Sequence, residues 1–166
     1  MTEKNPNINL TREQANVAPK KSTQSATFPA QFKSLDEVRE FAARQAEACG
    51  FEPDEIFAVK MAVDEGFTNI IEHAYGGECQ EEVECSCQTN DEGLTITLID
   101  CGQPFNPLEV PEPDLESDLD DRMIGGLGVF FIRQLMDEVS FNFIPKSEGE
   151  GECNVLTMIK RKKMTD

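Results

Sequence analysis

A chain of 166 residues with 39% hydrophobic content has room for one domain and one substantial core. Its formal net charge of −17 and pI near 4.3 argue against nucleic acid as a direct partner, because phosphate contacts need clustered Lys and Arg. No apolar run of about 18 residues occurs and the N-terminus lacks the apolar stretch of a secretory signal, so neither a membrane-spanning helix nor export is expected.

The simplest expectation is a cytoplasmic protein that meets a basic partner. With no export signal, the six cysteines read as free thiols in a reducing compartment. Residues 1–22 carry Asn, Gln, Thr, Lys and Pro without an apolar period. They read as a flexible tail or a remnant added for expression, and residues 23–166 as the domain. A short strand is expected around Ser25–Pro29. Ser34-Leu35-Asp36-Glu37 has the form of a capping box, with Ser34 as N-cap, and opens a helix carrying Leu35, Val38, Phe41, Ala42 and Ala46. Gly50 ends that helix as a C′ residue would.

Pro53 opens a second helix, where its missing N–H costs nothing. One long helix is expected from there to about Ala74, stopped by Gly76-Gly77. Ile56, Val59, Val63, Phe67, Ile70 and Ala74 form its apolar stripe. Glu65, Asn69 and His73 follow at i, i+4 and i+8 on the other side. Taken alone, that row is a solvated polar face. Chemically, a carboxylate can act as a base and an amide oxygen is a hard ligand for Mg²⁺.

Glu81 to Thr89 alternates Val83, Cys85 and Cys87 with polar residues, the pattern of a half-buried strand. Zinc at Cys85 and Cys87 would need Cys79 and His73 as further ligands; small core hydrophobes are the expected role. Asn90-Asp91-Glu92-Gly93 is a hairpin turn, and Leu94 to Ile99 the returning strand. Residues 107–124 hold three prolines and seven acidic residues, Glu109 to Asp121, and predict a long loop. A third helix follows Gly125-Gly126-Leu127-Gly128, then strands at Val139–Ile144 and Val155–Ile159 around a polar turn. The fold class is α+β, a two-layer sandwich of a mixed, mainly antiparallel sheet with helices on one face.

Two further groups carry chemistry. Asp100, at a strand end, is either a turn residue or an acceptor for an exocyclic N–H of a base, with Gly102 letting that base approach the backbone. The glycine cluster is either a bend or a set of helix-start amides open to phosphate. Its spacing fits neither a Walker P-loop nor a dinucleotide fingerprint, and the catalytic loop of eukaryotic-type protein kinases is absent from the sequence.

The order E-x-x-x-N-x-x-x-H-A-Y, D-x-G-x-P-F, loop, G-G-L-G before a helix resembles the GHKL (Bergerat-fold) ATPase superfamily. Within it, the chain is most similar to the bacterial anti-sigma factor serine-protein kinases. Val63–Asn69 with His73-Ala74-Tyr75 matches the N box, Asp100–Phe105 the G1 box, and Gly125–Gly128 with Leu135–Val139 the G2 region. The likeness spans roughly Ser25 to Arg161. It implies a histidine-kinase-like ATPase fold with ATP and Mg²⁺ as cofactors. Glu65 would be the catalytic base and Asn69 the metal ligand. Asp100 would receive the adenine amino group, Gly102 would make room for the ring, and Phe105 would join the nucleotide pocket. Gly125, Gly126, Leu127 and Gly128 would cradle phosphates, and residues 107–124 would form a lid. Arg122, the only basic residue of that acidic lid, is a candidate phosphate contact. His73 would close the helix end and shape the pocket wall, without being a phosphoacceptor. A single domain leaves no place for the lysine that gyrase-like relatives bring from a second one.

The implied activity is a serine kinase that binds a sigma factor and phosphorylates an anti-anti-sigma (STAS) partner, as a monomer or homodimer. Two alternatives stand beside it: a non-catalytic, nucleotide-gated module that sequesters a regulatory protein, and a detached histidine-kinase catalytic domain.

Overall fold

The computed structural model describes residues 21–109 and 127–164. The elements run β1 (Ser22–Pro29), α1 (Leu35–Ala48), α2 (Pro53–Asn69), β2 (Glu82–Asn90), β3 (Gly93–Asp100), α3 (Leu127–Leu135), β4 (Glu138–Pro145) and β5 (Glu152–Arg161). Residues 1–20, where the tail is expected, lie outside the described residues, as do Arg122, Gly125 and Gly126.

The strands form one sheet in the order β1-β2-β3-β5-β4, and every pairing is antiparallel. Alternation decides which side chains face the helices. One row across the sheet is Cys85, Leu98, Leu156 and Phe141; the next is Cys87, Ile96, Met158 and Val139. Cys85 and Cys87 are fully buried there with Val59, Val63 and Phe67 of α2, so both serve as small core hydrophobes. Two residues further along the same face, Leu98 gives way to Asp100 and Leu156 to Asn154, which are directly paired. Both polar residues are buried, at 3% exposure each. The apolar face of the sheet therefore ends in a polar pair at one edge of the core.

Four local expectations need correction. Ser34 makes no side-chain cap, because a 3-10 turn at Phe32–Ser34 already places it in the helical region at φ −79°, ψ −14°. An N-cap needs extended backbone, which is unavailable there. The capping box stands instead at the start of α2, between Glu52 and Glu55. The long helix is also not uniform: after Asn69 it widens into a π turn over Ile70–Ala74, with Tyr75 N donating to Ile70 O at 3.1 Å. The strands reach beyond their expected bounds, β1 from Ser22, β4 from Glu138 and β5 over Glu152–Arg161.

The fourth correction concerns the thiols. Cys101 and Cys153 form a disulfide, while Cys49, Cys79, Cys85 and Cys87 are free. Cys101 follows Asp100 and Cys153 precedes Asn154, so they meet on the rung just past the last β3–β5 pair, with Cα atoms 4.1 Å apart. Residues 52 apart in sequence become neighbours through strand register, which composition does not encode.

The end of α1 follows expectation. Gly50 takes φ +82°, its N–H bonds to Glu47 O and that of Phe51 to Ala46 O, the paired bonds of a Schellman cap. The β2–β3 turn is equally tight. Asn90 Oδ1 accepts from Glu92 N and Gly93 N, and a Cβ on Gly93 would stand 2.1 Å from Lys160 O.

Candidate active site

A small cleft opens where α2 and its π turn meet β3, β4 and β5. Gly66, Asn69, Ala74, Asp100, Phe105 and Asn154 are among the residues lining it. Gly66 gives it a floor. A Cβ there would sit 3.0 Å from Leu98 Cδ1 and 3.2 Å from Leu156 Cδ2, so the helix lies directly on the strands.

One end of the cleft is built around Asp100. Its Oδ1 accepts from Asn154 Nδ2 at 2.8 Å and from Gly102 N at 3.0 Å. Asn154 Nδ2 also donates to Gln103 O at 2.9 Å, and its Oδ1 accepts from Phe105 N at 3.2 Å. One amide thus fixes the aspartate and the loop after it. Burial pushes the Asp100 carboxyl above its usual range, while the bonds from Asn154 and Gly102 pull the other way. With Oδ1 doubly engaged, Oδ2 is the oxygen available to a donor such as an exocyclic amine.

The loop is fastened to the helix end as well. Gln103 N donates to Ala74 O at 2.7 Å, and Cys101 N donates to the Tyr75 hydroxyl at 3.2 Å. Burial raises the Tyr75 phenol to about 12, so it stays neutral. A Cβ on Gly102 would stand 2.6 Å from Ala74 O. The bare backbone at Gly102 therefore makes room for the helix end, a reason distinct from the expected clearance for a ring. His73 and Phe105 stack across the same junction, ring centroids 4.7 Å apart.

Beside the cleft, which Asn69 lines, Glu65 and Asn69 meet the start of α3. A Cβ on Gly128, in the first turn of α3, would lie 2.6 Å from Glu65 Oε2 and 3.7 Å from Asn69 Nδ2. The carboxylate and the amide from one helix therefore crowd the bare Cα of Gly128 at the start of another. Burial, then the charges of Asp64 and Glu72, push the Glu65 carboxyl above its ordinary value. Asn69 is 8% exposed and its Nδ2 has no hydrogen-bond partner among the described residues. An unsatisfied buried amide is costly, and water, an ion or a ligand usually completes it. Rotation of the amide presents its oxygen, which suits a hard cation. Among the described residues no cluster of three or more His, Cys, Asp or Glu side chains could hold a metal alone. The residues present fit Mg²⁺ brought with phosphates, which commonly takes only one or two protein ligands.

The structure thus brings Glu65, Asn69 and Gly128 together in one group, and Asp100, Phe105 and His73 together in another, with Asn69 and Asp100 both lining the cleft. Gly66, Tyr75 and Asn154 are additions. Asn154 had a signal: it is in phase with Leu156 and Met158 on β5, a polar residue at a core position.

The histidine kinase-like ATPase domain family matches residues 28–160. The chain belongs to that family. Among its relatives, the serine-protein kinase RsbW of Listeria monocytogenes is 30% identical over 125 residues, covering 73% of this chain and 76% of the relative. The Bacillus subtilis serine-protein kinase RsbW is 31% identical over 116 residues, covering 67% of this chain and 72% of the relative. These place the chain with the GHKL anti-sigma factor kinases. Its fold is that of the crystal structure of the RsbU and RsbW domains of Rv1364c from Mycobacterium tuberculosis, with a TM-score of 0.55 at 15% identity. That likeness covers 84% of this chain and 32% of the solved one. An ATPase domain of this family binds ATP. No described helix is long and apolar enough to cross a membrane.

Proposed function

We propose that this chain is an ATP-dependent protein-serine kinase that binds a sigma factor and phosphorylates a serine on an anti-anti-sigma (STAS) protein in the cytoplasm. The observation that carries this reading is the contact of Glu65 and Asn69 with the first turn of α3, beside the cleft that Asn69 and Asp100 line. Adenine lies at Asp100, its amino group donating to Oδ2. Asn69 would hold Mg²⁺, which would neutralise phosphate charge there. The amides of Gly126, Leu127 and Gly128 receive phosphate oxygens, helped by Gly125 and by Arg122 from the lid. His73 and Phe105 wall the pocket.

Glu65 is the base. As the serine Oγ–H gives its proton to the Glu65 carboxylate, Oγ bonds to the γ-phosphorus, the bond to the β–γ bridging oxygen breaks, and ADP leaves. Positioning and charge neutralisation supply most of the rate in such transfers. The test is Glu65→Gln with Mg–ATP and the STAS protein. Nucleotide affinity should stay within about threefold while transfer falls roughly a hundredfold or more, the usual worth of a positioned base. Undiminished transfer would remove Glu65 from this role. Nucleotide binding without transfer in the unaltered protein would instead identify a nucleotide-gated sequestering module.

A further inference from the structure

The disulfide lies against the hydrogen bonds that build the adenine end of the cleft. Cys101 sits between Asp100 and Gly102, both joined to that network, and Cys153 adjoins Asn154, which holds Asp100, Gln103 and Phe105. The two sulfurs differ in access. Cys101 is exposed on the loop, whereas Cys153 is 5% exposed at the start of β5. A thiol in solution therefore reaches the bond without opening the core. The four free cysteines offer no equivalent, because three are buried and none lies in the loop that carries the aspartate.

We propose that the Cys101–Cys153 pair is a site of reversible thiol–disulfide exchange that sets nucleotide affinity, higher when joined and lower when reduced. This rests on the nucleotide reading given above. Joined, the pair clamps the loop of residues 101–106 to β5, so that Asp100 stands ready before the base arrives. Reduced, the loop keeps its bonds to Asn154, Ala74 and Tyr75 and the Phe105–His73 stack but loses the covalent tie, and the freedom it gains must be lost on binding.

The exchange balances without further partners than a dithiol. A thiolate of the dithiol attacks Cys101 Sγ, the Sγ–Sγ bond breaks, and Cys153 leaves as a thiolate that takes up a proton. The second thiol of the reductant then closes its own disulfide and releases Cys101 as a thiol. Two electrons pass from reductant to protein, and a low-molecular-weight disulfide reverses the sequence.

The experiment is calorimetric titration of the full chain with Mg–ADP, after oxidation by glutathione disulfide and after reduction by dithiothreitol. Alkylation of the denatured chain should count four thiols in the first state and six in the second. The dissociation constant should rise roughly three- to tenfold on reduction, the scale expected when preorganisation of one loop is lost. Cys101→Ser should bind like the reduced protein in both buffers while melting at a similar temperature. Equal affinity in the two states, tighter binding when reduced, or six thiols after oxidation would overturn this inference alone. Binding in neither state would overturn the nucleotide reading and this inference with it.

Discussion

Glu65 is partly buried and flanked by acidic groups, and both raise its pKa. Partial burial and the charges of Asp64 and Glu72 all disfavour its ionised form. A base must be ionised to accept a proton, and a raised pKa means that form is lost earlier as pH falls. Phosphotransfer should therefore decline on acidification at a higher pH than an exposed glutamate would give, as read from a pH–rate profile. Arg39 moderates the effect, since its Nη1 pairs with Asp64 Oδ1 at 2.8 Å. In Arg39→Ala the freed Asp64 charge should move the acid limb to still higher pH. The placement of these residues was legible in the sequence where spacing alone decides it: i, i+4 put Glu65 and Asn69 on adjacent turns. Asn154 was not read, because its meaning depends on pairing with Asp100 from another strand.

Among the elements, α2 sets the geometry because it lies so close to the sheet. Gly66 permits this, and a methyl group there would make Leu98 and Leu156 give by a few tenths of an ångström. Overpacking costs about 1–3 kcal/mol and the helix-propensity gain of alanine returns about 1, so Gly66→Ala should lower the urea midpoint modestly at unchanged slope. The apolar periodicity of α2 was plain in the sequence, but its π turn was not. Ile70–Ala74 has ordinary helix-forming residues. The widening accompanies bonds from Gln103 to Ala74 and from Cys101 to Tyr75, which are long-range. Such turns often occur at functional sites.

For the whole molecule, the two-layer arrangement followed from the order of periodic segments, and the antiparallel sheet from short turns such as Asn90–Gly93. The placement of β5 between β3 and β4 did not follow, because nothing local fixes which edge a last strand joins. The disulfide was missed for the same reason. Binding should stabilise the domain globally: Mg–ADP at roughly a hundred times its Kd contributes about 2.7 kcal/mol, a rise of several degrees in melting temperature. Asp100→Asn should abolish that rise, since its amide presents a donor to the adenine amine. The apo variant should melt no earlier than the parent. The folded-state pKa of Asp100 lies above its ordinary value, so the ionised group opposes folding above that pKa, and the neutral amide removes this cost while keeping the acceptor for Asn154.

Because β5 slots between strands made earlier, the order of synthesis matters. A nascent chain that has released everything up to β4 still has β3 with an open edge and Asp100 without its amide neighbour. Only when residues 152–161 clear the ribosome does the sheet close and the Asp100–Asn154 pair come into being. On the reading proposed above, a growing chain of this topology should gain its hold on nucleotide only with β5, long after the other parts of the site were translated.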